Sequence, residues 1–389
     1  MTFNKKRKLL FVANVDWFFL SHRLPIAQAA LQNGYEVHIA TGITDKFIEL
    51  QMLGLKVHPL VISRSSTGIK NAFQTMWQFK KIFQELNPDI IHLVTIKPVL
   101  LGGLVARFVK AKAVVAAVSG LGFVFIARGK IATLRRACVG ILYRLALGHP
   151  NIKVIFQNLD DKNSISEFAH LSDKNTVLIR GSGVELDEFK CAPLSGGRPI
   201  VLLASRMLID KGVQEFIEAV KFIQRNIYSF KEIPRFVLVG QPDPANPMSL
   251  TQAQLNGWQL EGIVELWGQR ADMHTVLSSA CIVVLPSYRE GLPKVLIEAA
   301  ACGRAVITTD VPGCRDAIIP NVTGLLVPVK NANALAEAIN SLLKDKERCE
   351  KMGKAGRDFA EKTFDVKNVV QEHLRIYEEL LNNSANINY

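Results

Sequence analysis

Two glutamates, Glu290 and Glu298, stand in the segment SYREGLPKVLIEAA at residues 287–300. Glu290 follows an apolar run that predicts a strand, and the proline after it suits the first turn of a helix. Free backbone N–H groups near Lys294 and Val295 at the helix start form a phosphate site. A carboxylate further along the helix, as at Glu298, can hold a ribose diol by paired hydrogen bonds. The segment therefore indicates a nucleotide site.

Other patterns of phosphate or metal chemistry are absent from the sequence. There is no D-x-D pattern for a metal-bridged diphosphate and no P-loop. Gly120-x-Gly122 and Gly181-x-Gly183 lack the third glycine of a dinucleotide fingerprint. The six cysteines fall at irregular spacings, with no C-x-x-C pair and no Cys/His cluster of zinc type. We therefore expect no metal, no cofactor and reduced cysteines, as in a cytosolic protein.

Strand-like and helical patterns alternate along the chain. Apolar, β-branched runs predict strands at 9–15, 35–41, 55–62, 89–95, 113–118 and 153–156, and again at 199–204, 235–240, 263–267, 281–285 and 305–309. This alternation is typical of a parallel sheet with helices on both faces. Since the length of 389 residues favours more than one domain, we predict an α/β protein with two doubly wound, Rossmann-like domains that face each other across a cleft.

The domain boundaries follow from the segment KCAPLSGGRP at 190–199, which is rich in Gly and Pro and poor in apolar residues. We place the first domain at 1–190 and the second at 198–365. The remaining residues, 366–389, predict a C-terminal helix, which we expect to pack back on the first domain.

The motifs of the second half resemble those of the retaining glycosyltransferases of family 4, which have the GT-B fold. Glu290 and Glu298 match that family's E-x7-E motif. Further matches follow in order along the chain: Ser205-Arg206 with Asp210-Lys211-Gly212, LWGQR at 266–270, residues 304–315, and TGLLVP at 323–328. Within the family, VGQPDPANP at 239–247 and LPSYREG at 285–291 resemble bacterial N-acetylgalactosaminyltransferases that extend an undecaprenyl-diphosphate-linked sugar.

The resemblance implies a role for each matching residue. It assigns Glu298 to the donor ribose and Glu290 to the hydroxyls of the donor sugar. Arg206 and Lys211 are assigned to the donor diphosphate, where they take part in both binding and catalysis. The segment that contains Gly268 and Arg270 is assigned to the nucleobase pocket, while the N–H groups at Lys294 and Val295 complete the donor site. The donor, a UDP-linked sugar, is a substrate and not a cofactor.

The first half resembles the family less closely. Family members that transfer mannose have a His in the loop after the fifth strand, where this chain has VSGLG at 118–122. The N-acetylhexosaminyl relatives also show a Gly-Leu-Gly stretch. His22, beside Arg23 at the opening of the first long helix, is a candidate for the acceptor site and for catalysis. The alternative for His22 is a helix-start position with no chemical task.

The net charge of +12 lies wholly in the first 190 residues. Residues 90–159 contain ten Lys and Arg and no Asp or Glu, so we expect this region to attract an anionic membrane surface. Within it, KIATLRRACVGILYRLAL at 130–147 has the spacing of a helix that lies in the membrane interface; the alternative is a core helix with a basic rim. No apolar stretch reaches the ~20 residues that span a bilayer. We expect a cytoplasmic protein on the inner face of the plasma membrane.

The sequence therefore predicts a retaining hexosyltransferase. It would move a sugar, with an N-acetylhexosamine such as GalNAc favoured, from a UDP-sugar to a polyprenyl-diphosphate-linked saccharide in the assembly of surface polysaccharide, lipopolysaccharide or glycoprotein glycans. Two alternatives remain. A sugar-nucleotide epimerase or hydrolase of the same fold would convert the donor without an acceptor. A protein that binds nucleic acid or membranes through its basic stretch would not need the matched carboxylates and cations, and the stretch lacks interleaved aromatic residues for stacking on bases.

Overall fold

The structure, a computed structural model, describes residues 6–62, 68–120, 139–194, 196–225, 230 and 232–386. The chain divides into two compact units: Met1–Ser182 with Lys367–Tyr389, and Gly183–Val366. The division after Ser182 differs from the predicted boundary at 190 because Val184 forms a bridge with Asp365 and Phe189 is buried in the core of the second unit. The C-terminal residues from Lys367 onward belong to the first unit.

The first unit contains a parallel sheet in the strand order β3-β2-β1-β4-β5-β6-β7. Within the described ranges its strands are β1 (Lys8–Ala13), β2 (Glu36–Thr41), β3 (Lys56–Pro59), β4 (Ile90–Val94), β5 (Val114–Val118), β6 (Ile152–Phe156) and β7 (Thr176–Leu178). The five central strands are almost wholly buried, as expected for a parallel sheet covered on both faces.

Helices cover both faces of this sheet. They are α1 (Asp16–Gln32), α2 (Phe47–Met52), α3 (Ile69–Leu86), α4 (Gly103–Phe108) and α5 (Leu159–Ala169), with residues 139–146 also helical. Since successive strand side chains point to opposite faces, Leu9 and Phe11 of β1 contact the layer that contains α1, whereas Leu10 and Val12 contact the layer that contains α3, α4 and residues 139–146.

The second unit repeats this architecture with the strand order β10-β9-β8-β11-β12-β13. Its described strands are β8 (Ile200–Ala204), β9 (Arg235–Val239), β10 (Glu265–Gly268), β11 (Ile282–Leu285), β12 (Ala305–Thr309) and β13 (Gly324–Val327). Its helices are α6 (Val213–Gln224), α7 (Gln252–Leu260), α8 (Met273–Ser279), α9 (Lys294–Ala301), α10 (Ala332–Lys344) and α11 (Lys346–Thr363), and α12 (Val366–Asn386) continues into the first unit.

Both sheets are doubly wound, and the strand order reverses beside the first strand of each. In the first sheet β1 pairs with both β2 and β4, and in the second β8 pairs with both β9 and β11. Ligands of such folds bind outside the carboxyl ends of the strands at this point of reversal. The predicted class, two Rossmann-like domains, is confirmed, and the loops after β8 and β11 are where a ligand of the second unit is expected.

Candidate functional site

The loops that follow β8 and β11 are held against each other by a close backbone contact. Gly212 has a φ of 72°, and a Cβ atom there would lie 2.2 Å from the carbonyl oxygen of Pro286. Glycine is therefore required at this approach. Beside it, the Tyr288 backbone N–H donates to the Asp210 carbonyl at 2.9 Å. These contacts bring the turn that carries Lys211 alongside the loop that carries Glu290.

Lys211 and Glu290 form an ion pair between these two loops. Their side chains are only 15% and 13% exposed, so the pair is largely shielded from water. A third loop, after β12, contacts the backbone of Glu290. The Glu290 N–H donates to the Pro312 carbonyl at 3.2 Å. Gly313 approaches so closely that a Cβ atom on it would lie 2.4 Å from the Glu290 carbonyl oxygen. The side chain of Glu290 is thus held by the loop after β8, and its backbone by the loop after β12.

Arg206 lies in the same group, directly after β8. Its Nη1 donates to Asp243 Oδ2 at 3.0 Å, and Gly240 brings the loop that carries Asp243 against the Ser205 carbonyl. Burial raises the pKa of the Asp210 carboxyl, and the negative charge of Glu290 raises it further. The positive charges of Lys211 and Arg206 lower this pKa. The structure therefore brings both predicted cations into one electrostatic cluster with Glu290.

Glu298 lies in α9 and is only 6% exposed. Its Oε1 is 3.1 Å from the Nζ of Lys294, one turn earlier. Burial raises the pKa of Glu298, and the Lys294 charge opposes this rise. Lys294 and Val295 are the first residues of α9, and the first N–H groups of a helix have no acceptor within it. Pro293, at the N-cap, makes no side-chain hydrogen bond to them. The two glutamates thus belong to two separate ion pairs.

Gly268 and Arg270 lie at the end of the edge strand β10. The Gly268 carbonyl accepts a hydrogen bond from the Gly240 N–H at 2.8 Å, which ties this end of β10 to the loop after β9. Arg270 makes a two-pronged contact with Asp272, with its Nε and Nη2 at 2.8 and 2.6 Å from the carboxylate oxygens. This contact lowers the pKa of Asp272 to about 2. The side chains of Arg270 and Asp272 are 42% and 39% exposed.

His22 lies in the first unit, in the second turn of α1. Its ring stacks on Phe18, with centroids 4.2 Å apart and planes 8° from parallel, and its Nδ1 is 3.2 Å from the Phe18 carbonyl oxygen. The helix opens at Asp16, so His22 is inside it and not at its start. Of the VSGLG segment at 118–122, the last two residues lie outside the part of the chain that the structure describes.

Of the predicted interfacial helix at 130–147, residues 130–138 lie outside the part of the chain that the structure describes. Its remainder packs on the sheet through Tyr143 and Leu147, while Ile141, Leu142 and Leu145 are exposed. In the described ranges no helix has the length and apolar character that a membrane span needs. Among the same residues, no group of three or more His, Cys, Asp or Glu side chains is arranged to hold a metal ion.

Two carboxylates that contact the site were not among the predicted site residues. Asp243 binds Arg206, and Asp210 lies beside Lys211 with its carboxyl largely buried. Both stand inside segments that the sequence singles out, at 239–247 and 205–212, but their proximity to the cations depends on the close approaches of Gly240 and Gly212. Chemically, two adjacent cations and a helix start suit a diphosphate, because they stabilise charge on its oxygens.

Comparisons with known families agree with this geometry. Residues 184–359 match the family model described as glycosyl transferases group 1, and residues 8–158 match the model described as glycosyl transferase 4-like. Each match falls wholly within one of the two compact units. The chain is also similar to the N,N'-diacetylbacillosaminyl-diphospho-undecaprenol alpha-1,3-N-acetylgalactosaminyltransferase of Campylobacter jejuni, with 30% identity over 94% of this chain and 99% of that protein.

Solved structures show the same fold. Sucrose-phosphate synthase from Thermosynechococcus elongatus superposes with a TM-score of 0.78 at 22% identity, over 97% of this chain and all of that one. Anabaena HepE, solved in complex with UDP and glucose, has a TM-score of 0.74 at 18% identity, over 95% of this chain and 98% of that one. These likenesses show that the chain has the GT-B fold. The family models and the Campylobacter jejuni relative confirm the predicted family resemblance.

Proposed function

Because this chain belongs to the group 1 glycosyltransferases and is a hexosyltransferase, we propose that it transfers an N-acetylhexosamine such as GalNAc from a UDP-sugar to a polyprenyl-diphosphate-linked saccharide, with retention of configuration. The observation that carries the donor side is the cluster of Arg206, Lys211 and Glu290 at the carboxyl ends of β8 and β11. The acceptor class is supported by the name of the Campylobacter jejuni relative, which specifies a diphospho-undecaprenol acceptor.

In this proposal the donor diphosphate lies on Arg206 and Lys211. Negative charge develops on the UDP leaving group as its bond to the sugar breaks, and cations that are already in place stabilise that charge. Carboxylates hold both cations in the structure, Asp243 on Arg206 and Glu290 on Lys211. The diphosphate therefore competes with these carboxylates, and Glu290, once Lys211 turns to the phosphate, accepts hydrogen bonds from the sugar hydroxyls.

Glu298 binds the donor ribose in the same scheme. Its burial excludes water, so two hydrogen bonds from the ribose diol to the carboxylate are strong, and Lys294 favours the ionised form that accepts them. The N–H groups of Lys294 and Val295 add to the phosphate site, and Gly268 and Arg270 line the nucleobase pocket. No metal ion or cofactor is needed, because Arg206, Lys211 and the helix start supply the positive charge.

The first unit binds the acceptor. His22 contacts the acceptor saccharide, and the cations of residues 90–159 face the anionic membrane in which the lipid-linked acceptor is held. The protein then works on the cytoplasmic face of the plasma membrane, in the assembly of a surface polysaccharide or a glycoprotein glycan.

Two substitutions test the donor site directly. With UDP-GalNAc and a lipid-diphosphate-linked saccharide as substrates, Arg206→Ala and Lys211→Ala should each lower kcat by about a hundredfold or more, because the charges they remove act most strongly in the transition state. The comparison is a steady-state measurement of kcat and KM for each variant and the wild type.

Matched controls come from the same unit. Arg235→Ala removes an arginine at the amino end of β9 that is paired with a glutamate. Lys221→Ala removes a lysine on α6 that is also paired with a glutamate. Both should keep nearly the wild-type kcat. A normal kcat in Arg206→Ala and in Lys211→Ala would show that the diphosphate does not lie on these residues.

A further inference from the structure

The layer of helices on one face of the first sheet exposes large apolar side chains on its outer side. The layer includes α3, α4 and residues 139–146, which share one buried core with α5. On α3, Ile69 is 77% exposed, Phe73 67% and Trp77 65%, and Phe108 at the end of α4 is 73% exposed. The apolar residues 141, 142 and 145 are exposed in the same layer.

The exposed residues of α3 follow a helical repeat. Ile69, Phe73 and Trp77 are spaced four residues apart and so lie on one side of the helix, while Phe79 and Phe83 lie on a neighbouring side and are buried. The core of the unit is complete without the outer three. A helix whose outer face met only water would carry polar residues there, so this stripe indicates a partner.

Cations surround the stripe. On α3 these are Lys70, Lys80 and Lys81, and Arg107, Lys110 and Arg144 are exposed nearby in the same layer. Lys80 Nζ lies 5.4 Å from the ring centroid of Phe108, which joins α3 to α4. Arg107 donates to the Leu145 carbonyl at 3.3 Å, which joins α4 to residues 139–146. We call this continuous surface the apolar-basic face.

We infer that the apolar-basic face docks on an anionic lipid bilayer, with α3 in the plane of the membrane interface and Ile69, Phe73 and Trp77 at the acyl boundary. Apolar residues ringed by lysine and arginine are complementary to acyl chains below anionic headgroups, and tryptophan favours that interface. The inference rests on the proposed function in that a lipid-linked acceptor requires a membrane. It adds α3, at residues 69–81, to the membrane contact proposed for the basic region at 90–159.

Vesicle sedimentation of the full chain tests this contact. The wild type should bind vesicles of phosphatidylethanolamine with phosphatidylglycerol and release them as salt rises to about 1 M, where the Debye length falls to about 3 Å. The triple variant Ile69→Ser/Phe73→Ser/Trp77→Ser should bind at least about tenfold more weakly. Lys70→Gln/Lys80→Gln/Lys81→Gln should lose most of the binding at low salt.

Matched controls come from the second unit. Leu260, which is 88% exposed, gives the apolar control Leu260→Ser. Lys346, Lys351 and Lys354 on α11, all exposed, give the charge control in which each becomes Gln. Both controls should bind vesicles as the wild type does. Thermal unfolding of the two α3 variants should be unchanged, because the substituted side chains are exposed.

Two results would overturn the inference. In the first, the serine variant binds vesicles as strongly as the wild type does. In the second, the wild type does not bind vesicles but forms a dimer in solution, and the serine variant is a monomer. UDP affinity separates this test from that of the proposed function, since both α3 variants should keep it. If the vesicle results hold but no UDP-sugar is transferred to any acceptor, the proposed function fails and the membrane contact stands.

Discussion

At the scale of single residues, Glu298 gives the sharpest test of the donor site. Glu298→Gln keeps the size of the side chain but weakens its bonds to a ribose diol, so the Kd for UDP should rise by about tenfold to a hundredfold in calorimetric titration. The Tm of this variant near pH 7 should not be lower than that of the wild type, because the variant no longer buries a charge. An unchanged UDP affinity would mean that Glu298 only stabilises the fold.

The same substitution has a pH signature. Burial raises the pKa of Glu298 above its ordinary value of 4.5, so in the window between the two values the folded state holds a proton that the unfolded state has lost. The contribution of Glu298 to stability is complete below 4.5 and is lost as the pH rises through the raised pKa. The Tm of Glu298→Gln minus that of the wild type should therefore increase with pH across this window. A difference that decreases would contradict the assigned burial effect.

The residue types at the site are predictable from the sequence, but their contacts are not. Glu290, Glu298, Arg206 and Lys211 all stand in motifs that make them candidates for the donor site. That Lys211 meets Glu290 depends on Gly212 packing on the loop after β11. Such long-range approaches depend on the path of the backbone in three dimensions, which neither hydrophobic pattern nor spacing specifies.

At the scale of elements, α12 joins the first unit through buried polar groups. The Nδ1 of His92 is 2.7 Å from the hydroxyl of Tyr377, and the rings of His92 and His373 stack with centroids 5.6 Å apart. Burial lowers the pKa of His373 to about 3, and the nearby charge of Arg23 adds to this. The docked helix therefore carries a neutral histidine.

This predicts an acid sensitivity for α12. The unfolded chain binds a proton at His373 below about 6.5, while the folded chain does so only near 3, so the stability due to this residue is present above 6.5 and is lost as the pH falls. Between about pH 7 and 5.5, the free energy of unfolding should fall by roughly 1 kcal/mol more in the wild type than in His373→Leu. Urea titrations at the two pH values measure this, and equal losses in both proteins would contradict it.

Long, strongly patterned elements are predictable from the sequence, and short ones are not. The central strands lie close to their predicted positions. The run at 176–178 was not predicted, since three residues give no measurable periodicity. The end of the first unit was placed at the Gly/Pro-rich segment, but the chain joins the second unit before that segment, through the bridge of Val184 with Asp365 and the burial of Phe189. Composition does not reveal such contacts between distant residues.

At the scale of the whole molecule, two units of the same class carry different surfaces. The second unit contains the cluster of cations and carboxylates that we assign to the donor. The first unit contains the excess positive charge and the apolar-basic face that we assign to the membrane. The repeated strand order of the two sheets suits an enzyme with two substrates, since each sheet offers one crevice at the carboxyl ends of its strands.

If the protein transfers a sugar from a UDP-sugar to a lipid-linked saccharide without a metal ion, one transfer assay will show it. Purified protein is incubated with a panel of radiolabelled UDP-sugars, with UDP-GalNAc expected to be preferred, and with a saccharide on undecaprenyl diphosphate, in the presence and absence of excess EDTA. The label should move into the lipid fraction only when the acceptor is present, and at nearly the same rate with EDTA, since Arg206, Lys211 and the start of α9 neutralise the leaving diphosphate. Release or epimerisation of the sugar without acceptor, or a loss of transfer in EDTA that magnesium or manganese restores, would contradict the proposed function.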